Sequence, residues 1–509
     1  MTRFEFLLPP RVRGQIPKMY RWNPPHVGLA YLAAALEQEG VSVRVVDLER
    51  VPLKRYLARF RRRPPDLVGV SAFTKNVASI AYLSRVLKRV RPDVRIVAGG
   101  PHATAVPERT LRELPWLDVV VVGEGEVTLV ELVRQLSSGG DDGFDSIDGI
   151  AYRTAEGGVR VTKPRRPVED LDSLPFPAWH LFGVKSSLPY GDLCKRDKLE
   201  LPVLTSRGCP YSCVFCQKVL GSRVRKRSVK NVVEELERNV ERFGMTHAMF
   251  VDETWGVDRE RSRALCRAII AAGLHDKISW GCYDRVSNVD EPTLRLMRAA
   301  GCKFMLFGIE TCSDETLSLI KKGNTTAQQR RAVELTAKYG VKSYLSVIFG
   351  FPKTNERTAN DDLTRVLKLG GTFYQFGKLV PFPGTEIYEW AESGKFGLSL
   401  ATRDWREYDT QFGGALDSTT FPRERLRRFH ALAYLKMLVR LFPKSVATFL
   451  YHVNWKNFLS WGLVQLLRKS NRAGAKAGRR AGAGMKKGSP AEPGAKPGAE
   501  AGREAGPVT

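Results

Sequence analysis

The sequence predicts an α/β chain: a doubly wound parallel sheet over residues 1–150, a second α/β unit over 200–395, and helices over 396–470. Three observations carry that reading. Near-continuous Val/Ile runs bounded by helix-period segments recur through the first 150 residues, the pattern of a parallel sheet covered on both faces. Strands and amphipathic helices alternate again after a proline-rich connector at 151–199, which contains "KPRRPVEDLDSLPFPAWHLF". From residue 423 onward Leu, Phe, Trp and Tyr mix with a dense Arg/Lys face.

The elements follow in order. "TRFEFLLPP" is a strand with a proline stop, and "HVGLAYLAAALEQEG" a helix ended by Gly40. "VSVRVVDL" is a second strand and residues 54–61 a short basic helix. "DLVGVSAF" is the third strand, 77–91 a helix, "VRIVAGGP" the fourth strand, and "LDVVVVGEGE" the fifth, before a helix at 126–137. Sites in such sheets lie at the carboxyl ends of the strands. The candidates there are Ser71, Thr74, Gly99, Gly100, His102, Gly123 and Glu124. No G-x-G-x-x-G follows the first strand, so the dinucleotide fingerprint is missing. Paired glycines permit close approach to something broad and flat, or simply make tight turns before helices, and both readings stay open.

At 509 residues the chain needs two or three domains. Its 43% hydrophobic and 27% charged content is that of a globular protein. Of the formal charge of +27, residues 471–509 supply +5. That tail has no aromatic residue and is expected to be disordered. A basic body suits nucleic acid, an anionic membrane or acidic small molecules. No nucleic-acid module accompanies the charge, so nucleic acid is not an expected partner. The N-terminus lacks the uninterrupted apolar core of a signal peptide, and the expected location is cytoplasmic. The apolar-basic segment before the tail leaves peripheral contact with the inner face of the membrane open.

"RGCPYSCVFC" concentrates the chemistry. Cys209, Cys213 and Cys216 stand as C-x3-C-x2-C, and eight cysteines in so long a chain indicate metal-site usage rather than a disulfide framework. Three thiolates on a [4Fe–4S] cubane leave one iron open to a small ligand. Structural zinc completed by Cys194 is the competing reading, without the paired C-x2-C of common zinc sites. Cys266, Cys302 and Cys312 read as buried small residues, and Cys282 as buried or facing a cavity.

These segments resemble the radical S-adenosylmethionine (SAM) superfamily, whose signature is C-x3-C-x2-C with an aromatic residue, here Phe215, before the third cysteine. The likeness continues through "THAMFVDETW", "KFMLFGIETCSDETLSLIKKG", "VKSYLSVIFGFPKTNE" and "KLVPFPGTEIYEWA". It implies a partial (β/α)6 barrel over 200–395, and SAM contacts from Phe215, Asp252, Glu253, Glu310, Ile348 and Gly350. The first 150 residues resemble the cobalamin-binding domain placed ahead of many such enzymes. The loop "PPRVRGQIPKMY" has no histidine, which implies base-off cobalamin. The resemblance further implies SAM cleavage, methyl transfer to an unactivated carbon, and an electron donor such as flavodoxin or ferredoxin. A ring-forming or oxidative outcome without net methylation is the alternative, and a non-catalytic metal-binding protein the other. Phe349, Phe373, Tyr374 and Phe376 suit a large apolar substrate in the barrel, or packing.

Overall fold

The computed structural model describes residues 2–10, 26–138, 143–183 and 199–440. Cys194, residues 11–25 and residues 441–509 lie outside the described residues. The Val/Ile runs of the first unit form parallel strands β1 (Arg3–Leu8), β2 (Ser42–Asp47), β3 (Leu67–Ser71), β4 (Arg95–Gly99) and β5 (Val119–Val121). Their order is β2-β1-β3-β4-β5. The direction of winding reverses between β1 and β3, which opens a crevice at the carboxyl ends there.

Two strands absent from the expected pattern extend this sheet. β6 (Ile150–Arg153) and β7 (Val159–Val161) add antiparallel beyond β5, so the sheet is mixed rather than wholly parallel. They form a hairpin around Gly157, whose φ of 81° permits the turn. Short strands beside a proline-rich stretch give little periodic signal.

In the second unit, β8 (Glu200–Val203) is followed by the short strands β9 (Ser206–Arg207) and β10 (Arg225–Lys226), which pair antiparallel. β11 (His247–Phe250), β12 (Ser279–Asp284), β13 (Cys302–Glu310), β14 (Lys342–Phe349) and β15 (Phe373–Lys378) complete the main sheet. The order β8-β11-β12-β13-β14-β15 is all parallel and sequential. Among the described residues β8 does not pair with β15, so six strands make the expected partial barrel. Its helices start where the sequence offers a capping oxygen: Ser228, Asp258, Asp290, Thr325, Asn355 and Thr385 each accept a backbone N–H of the first turn.

The pleat separates two faces of the barrel wall. Cys282, Met305, Phe307, Leu345, Val347, Tyr374 and Phe376 belong to the core shared with the helices. The alternate residues Tyr283, Leu306, Tyr344, Ser346 and Gln375 are only half-buried and stand in register across β12 to β15. This settles several sequence readings. Cys282 is buried in the core, and Phe349, Tyr374 and Phe376 pack on the helix side, Phe349 and Phe376 against Phe429 and Tyr434. Residues 396–422 hold a 3-10 turn at Trp405–Glu407 but no α-helix, against expectation; β16 (Leu398–Leu400) and β17 (Leu416–Ser418) pair antiparallel before the helix Arg423–Arg440. No described helix is long and apolar enough to cross a membrane.

Candidate active site

The cysteine loop leaves the carboxyl end of β8 through a closed neck. Asp252, just past β11 and fully buried, accepts at Oδ1 from the backbone and hydroxyl groups of Thr205 and Ser206. Gly208 has a φ of 94°, and a Cβ there would lie 2.2 Å from the Arg223 carbonyl oxygen. Only glycine fits. Further along, the Cys209 N–H bonds Gly221 O, the Val214 N–H bonds Ile320 O, and Gln217 Nε2 donates to Pro383 O at 2.8 Å. The loop is therefore closed on itself and held by two other segments.

The cysteines share one electrostatic environment. Desolvation pushes the Cys216 thiol up to about 11, with Cys213, Glu253 and Cys209 adding to it. Burial also raises Cys209; the Tyr211 N–H opposes the shift and Glu253 reinforces it. Glu253, exposed and next to buried Asp252, is thus the acid of that pair whose charge acts on the thiols. Among the described residues no three His, Cys, Asp or Glu side chains converge on one mononuclear ion position. A cubane instead needs one thiolate at each of three corners.

Arg285, which follows β12, carries no signature in the sequence. It lies 3.6 Å over the Tyr211 ring and donates from Nη1 to Cys213 Sγ at 3.6 Å. Its Nε and Nη2 are buried and have no partner. Asp284 accepts from the Arg285 N–H and from Asn288 Nδ2, while Asn288 Oδ1 accepts from Tyr211, so the stack is oriented from both ends. Beside it, Gly323 faces Arg285 Nη2, and both side-chain polar atoms of buried Asn324 are also unpartnered.

Glu310 closes this group. A register shift between Gly308 and Glu310 interrupts the β13–β14 ladder, and Glu310 has a φ of 61°, a strained value for a non-glycine residue. Its carboxylate accepts from Lys322 Nζ at 2.8 Å, and Lys322 lies 5.8 Å from the Phe215 ring. A Cβ on Gly308 would sit 2.3 Å from Glu310 Oε1, which explains the glycine of "GIE". Phe215 and Ile348 pack into one apolar cluster, with Phe351 5.7 Å from Phe215. Gly350, at φ 96°, lies in the turn beyond, under Leu426.

The first unit's candidates form a second knot. The Ala72 N–H bonds Gly99 O and the His102 N–H bonds Ala72 O, which ties the ends of β3 and β4 together. His102 is fully buried, lies 3.2 Å from Thr74 Oγ1 at Nδ1, and meets the edge of Trp405 at 4.8 Å. Burial lowers its pKa to about 4, so it is neutral at physiological pH. Ser71 adjoins Gly100, and Gly123 is held through Thr104 Oγ1. Glu124 is drawn elsewhere: its carboxylate binds Arg225 and Arg207, beside the cysteine loop.

The radical SAM superfamily model matches residues 203–366, and the B12 binding domain model matches residues 23–133. An uncharacterised methyltransferase of Pyrococcus horikoshii is 33% identical over 439 residues, 85% of this chain and 92% of its own length. The chain belongs to the cobalamin-binding radical SAM enzymes. Within that family, the anaerobic magnesium-protoporphyrin IX monomethyl ester cyclase of Rubrivivax gelatinosus is 28% identical across 76% of this chain and 69% of its own. The radical SAM methyltransferase TsrM of Kitasatospora setae, solved with cobalamin and a [4Fe-4S] cluster, shares the fold. Its TM-score is 0.63 at 24% identity, covering 84% of this chain and 85% of that one.

Proposed function

We propose that this cobalamin-binding radical SAM enzyme transfers a methyl group from SAM to an unactivated carbon of a sizeable metabolite. The observation that carries the reading is Arg285, a buried cation with two unpartnered N–H groups beside one of three clustered thiols. An unpaired buried guanidinium is costly and calls for an anionic partner, which the carboxylate of a cluster-bound SAM supplies. The residues present fit the three cofactors. Cys209, Cys213 and Cys216 offer the cluster thiolates, and Arg285, Asn324 and Glu310 offer polar contacts to SAM. Along the carboxyl ends of the first sheet, a Cβ on Gly123 would meet nothing within 4 Å, and Phe73 presents an exposed ring. Gly100 and Gly125 open their helices without side-chain caps. An open, partly apolar crevice of this kind suits a broad flat corrinoid.

When bound, these groups supply one-electron reduction, a hydrogen-abstracting radical and a transferable methyl group. The chain's own residues do the rest. Asp252 fixes the base of the cysteine loop, Asp284 and Tyr211 orient Arg285, and Lys322 holds the strained Glu310 at the cavity wall. Tyr283, Leu306, Tyr344, Ser346 and Gln375 give that wall both apolar area and hydrogen-bonding edges, which supports a large substrate carrying some polar groups. The basic body supports an acidic electron donor such as flavodoxin or ferredoxin. Leu432, Leu435 and Val439 are exposed on the last described helix among Arg428, Lys436 and Arg440, which supports peripheral contact with an anionic membrane.

The test supplies SAM labelled in its methyl group to the reconstituted enzyme with candidate substrates. Label in the product, with S-adenosylhomocysteine and 5′-deoxyadenosine both formed, supports methyl transfer. The similarity to cyclases favours one second reading, in which turnover yields deoxyadenosine and an unlabelled, cyclised or dehydrogenated product.

A further inference from the structure

The cysteine loop is closed at its neck by the pairing of β9 with β10, where Arg207 stands directly opposite Arg225. Both guanidiniums are buried, with side chains 5% and 4% exposed, and both are neutralised by the first unit. Arg207 Nη2 donates to Glu126 Oε1 at 2.6 Å and lies 3.5 Å from Glu124 through Nη1. Arg225 grips both oxygens of Glu124, at 3.0 Å from Nη1 to Oε2 and through Nη2 to Oε1. The Val168 N–H donates to the same carboxylate at 3.0 Å. Both glutamates belong to "GEGE", which runs from the end of β5 into the first residue of the next helix, and a Cβ on its Gly123 would meet nothing within 4 Å. This four-residue stretch therefore joins the carboxyl end of the first sheet to the neck of the cysteine loop.

Adhesion alone does not need these charges. The units already share apolar cores, in which Ala30 and Trp179 pack with the barrel, and Trp405 and Tyr408 pack with the first sheet. Burying two carboxylates and two guanidiniums costs several kcal/mol per ion before their attraction offsets it, and apolar replacements often do as well. What a planar bidentate pair adds is a fixed register.

We propose that Glu124 and Glu126 are positioning residues that lock the neck of the cysteine loop to the end of the first sheet and so set the separation of the cluster and cobalamin sites. The proposal rests on the cofactor reading above. It also separates Glu124 from a direct corrinoid contact, since its carboxylate already accepts two hydrogen bonds from Arg225 and one from Val168 and lies beside Arg207.

The experiment compares Glu124→Gln and Glu126→Gln with the unaltered full chain after anaerobic reconstitution. Iron, sulfide and corrinoid contents are measured first. Electron paramagnetic resonance then reads the magnetic interaction between the reduced cluster and cob(II)alamin, and product analysis gives methylated product per 5′-deoxyadenosine. The expected result is full occupancy of both cofactors, an altered spin–spin interaction, and a product ratio lowered by at least about tenfold, because small misplacements of reacting groups are costly. Unchanged interaction and ratio in both variants overturn the proposal. So does a loss of corrinoid from Glu124→Gln alone with the cluster signal intact, which makes Glu124 a cofactor contact. Should Glu124→Gln lose both cofactors, Glu126→Gln, which removes a partner of Arg207 only, decides by the same two readouts. An unaltered chain that takes up neither cofactor refutes the cofactor reading instead.

Discussion

Arg285 shows how a single side chain acquires a role from its surroundings. Asp284 fixes the Arg285 backbone and the Tyr211 ring carries the guanidinium beside Cys213, yet two of its nitrogens, Nε and Nη2, remain unsatisfied. Charge-assisted hydrogen bonds contribute about 1.5–3 kcal/mol each. Arg285→Met should therefore weaken SAM binding by about 10- to 100-fold while the iron and sulfide content stays at the unaltered level; equilibrium dialysis with the reconstituted protein checks both. Undiminished SAM affinity would remove Arg285 from the site. Two other buried groups give a pH signature. Burial, then Lys378, lowers His430 to about 3, while burial, then Arg427, lowers Lys378 to about 7. Both folded values lie below the ordinary ones of about 6.5 and about 10.4, so the unfolded chain binds more protons in each window. Stability then rises with pH from about 3 to 6.5 through His430 and from about 7 to 10 through Lys378. In urea titrations His430→Gln should flatten the first rise and Lys378→Met the second; an unchanged slope in either variant contradicts its assignment.

At the scale of elements, the cysteine loop depends on backbone that no other residue type can adopt. Gly208→Ala places a Cβ against the Arg223 carbonyl in a left-handed conformation, so the neck must open. Cluster loading by iron and sulfide analysis should fall to under about a tenth, whereas Gly244→Ala, at a helix end with open space, should keep full loading at a cost of about 1 kcal/mol. Equal loading in the two variants would show that the neck tolerates opening. Such elements are legible in the sequence to different degrees. The Val/Ile runs of β1 to β5 and the cysteine spacing carry dense local signals, and the structure contains all five strands, the fifth over only Val119–Val121 of its expected run. β6 and β7 are hidden because arginines break the apolar run in "IAYR" and "VRV", whereas the equally short β5 lies within "LDVVVV". Arg285 and Asn324 are hidden for another reason: nothing in their neighbours' spacing marks them, and their function arises only when three strand ends converge. The "GIE" glycine is marked by resemblance, but its cause, space for the Glu310–Lys322 pair, is a tertiary fact.

Across the whole molecule, the sequence divides the chain into units that the packing does not keep apart. Trp405, from the segment after the barrel, presses on His102 of the first unit, stacks under Arg109 at 4.4 Å, and donates to Glu113 at 2.5 Å. Tyr388 of the helix Glu386–Ser393 accepts from Arg109 at 2.8 Å, and Gly384 of "PFPGT" lies where a Cβ would meet Ala105 at 3.2 Å. Together with the Glu124–Arg225 and Glu126–Arg207 pairs, these contacts join the two sheets through separate segments. A unit freed by unfolding of its neighbour would expose part of a shared core, so neither has a stable half-folded partner state. Scanning calorimetry of the full chain should accordingly show one transition over residues 2–440, followed in parallel by far-ultraviolet dichroism and tryptophan fluorescence. Trp405→Ala removes a buried aromatic side chain and should cost about 3–5 kcal/mol. If the cores are coupled, that cost lowers the single transition without dividing it. Two resolved transitions in the unaltered chain, with Trp405→Ala shifting only one, would mean that each sheet folds on its own core and that the bridging contacts merely dock finished domains.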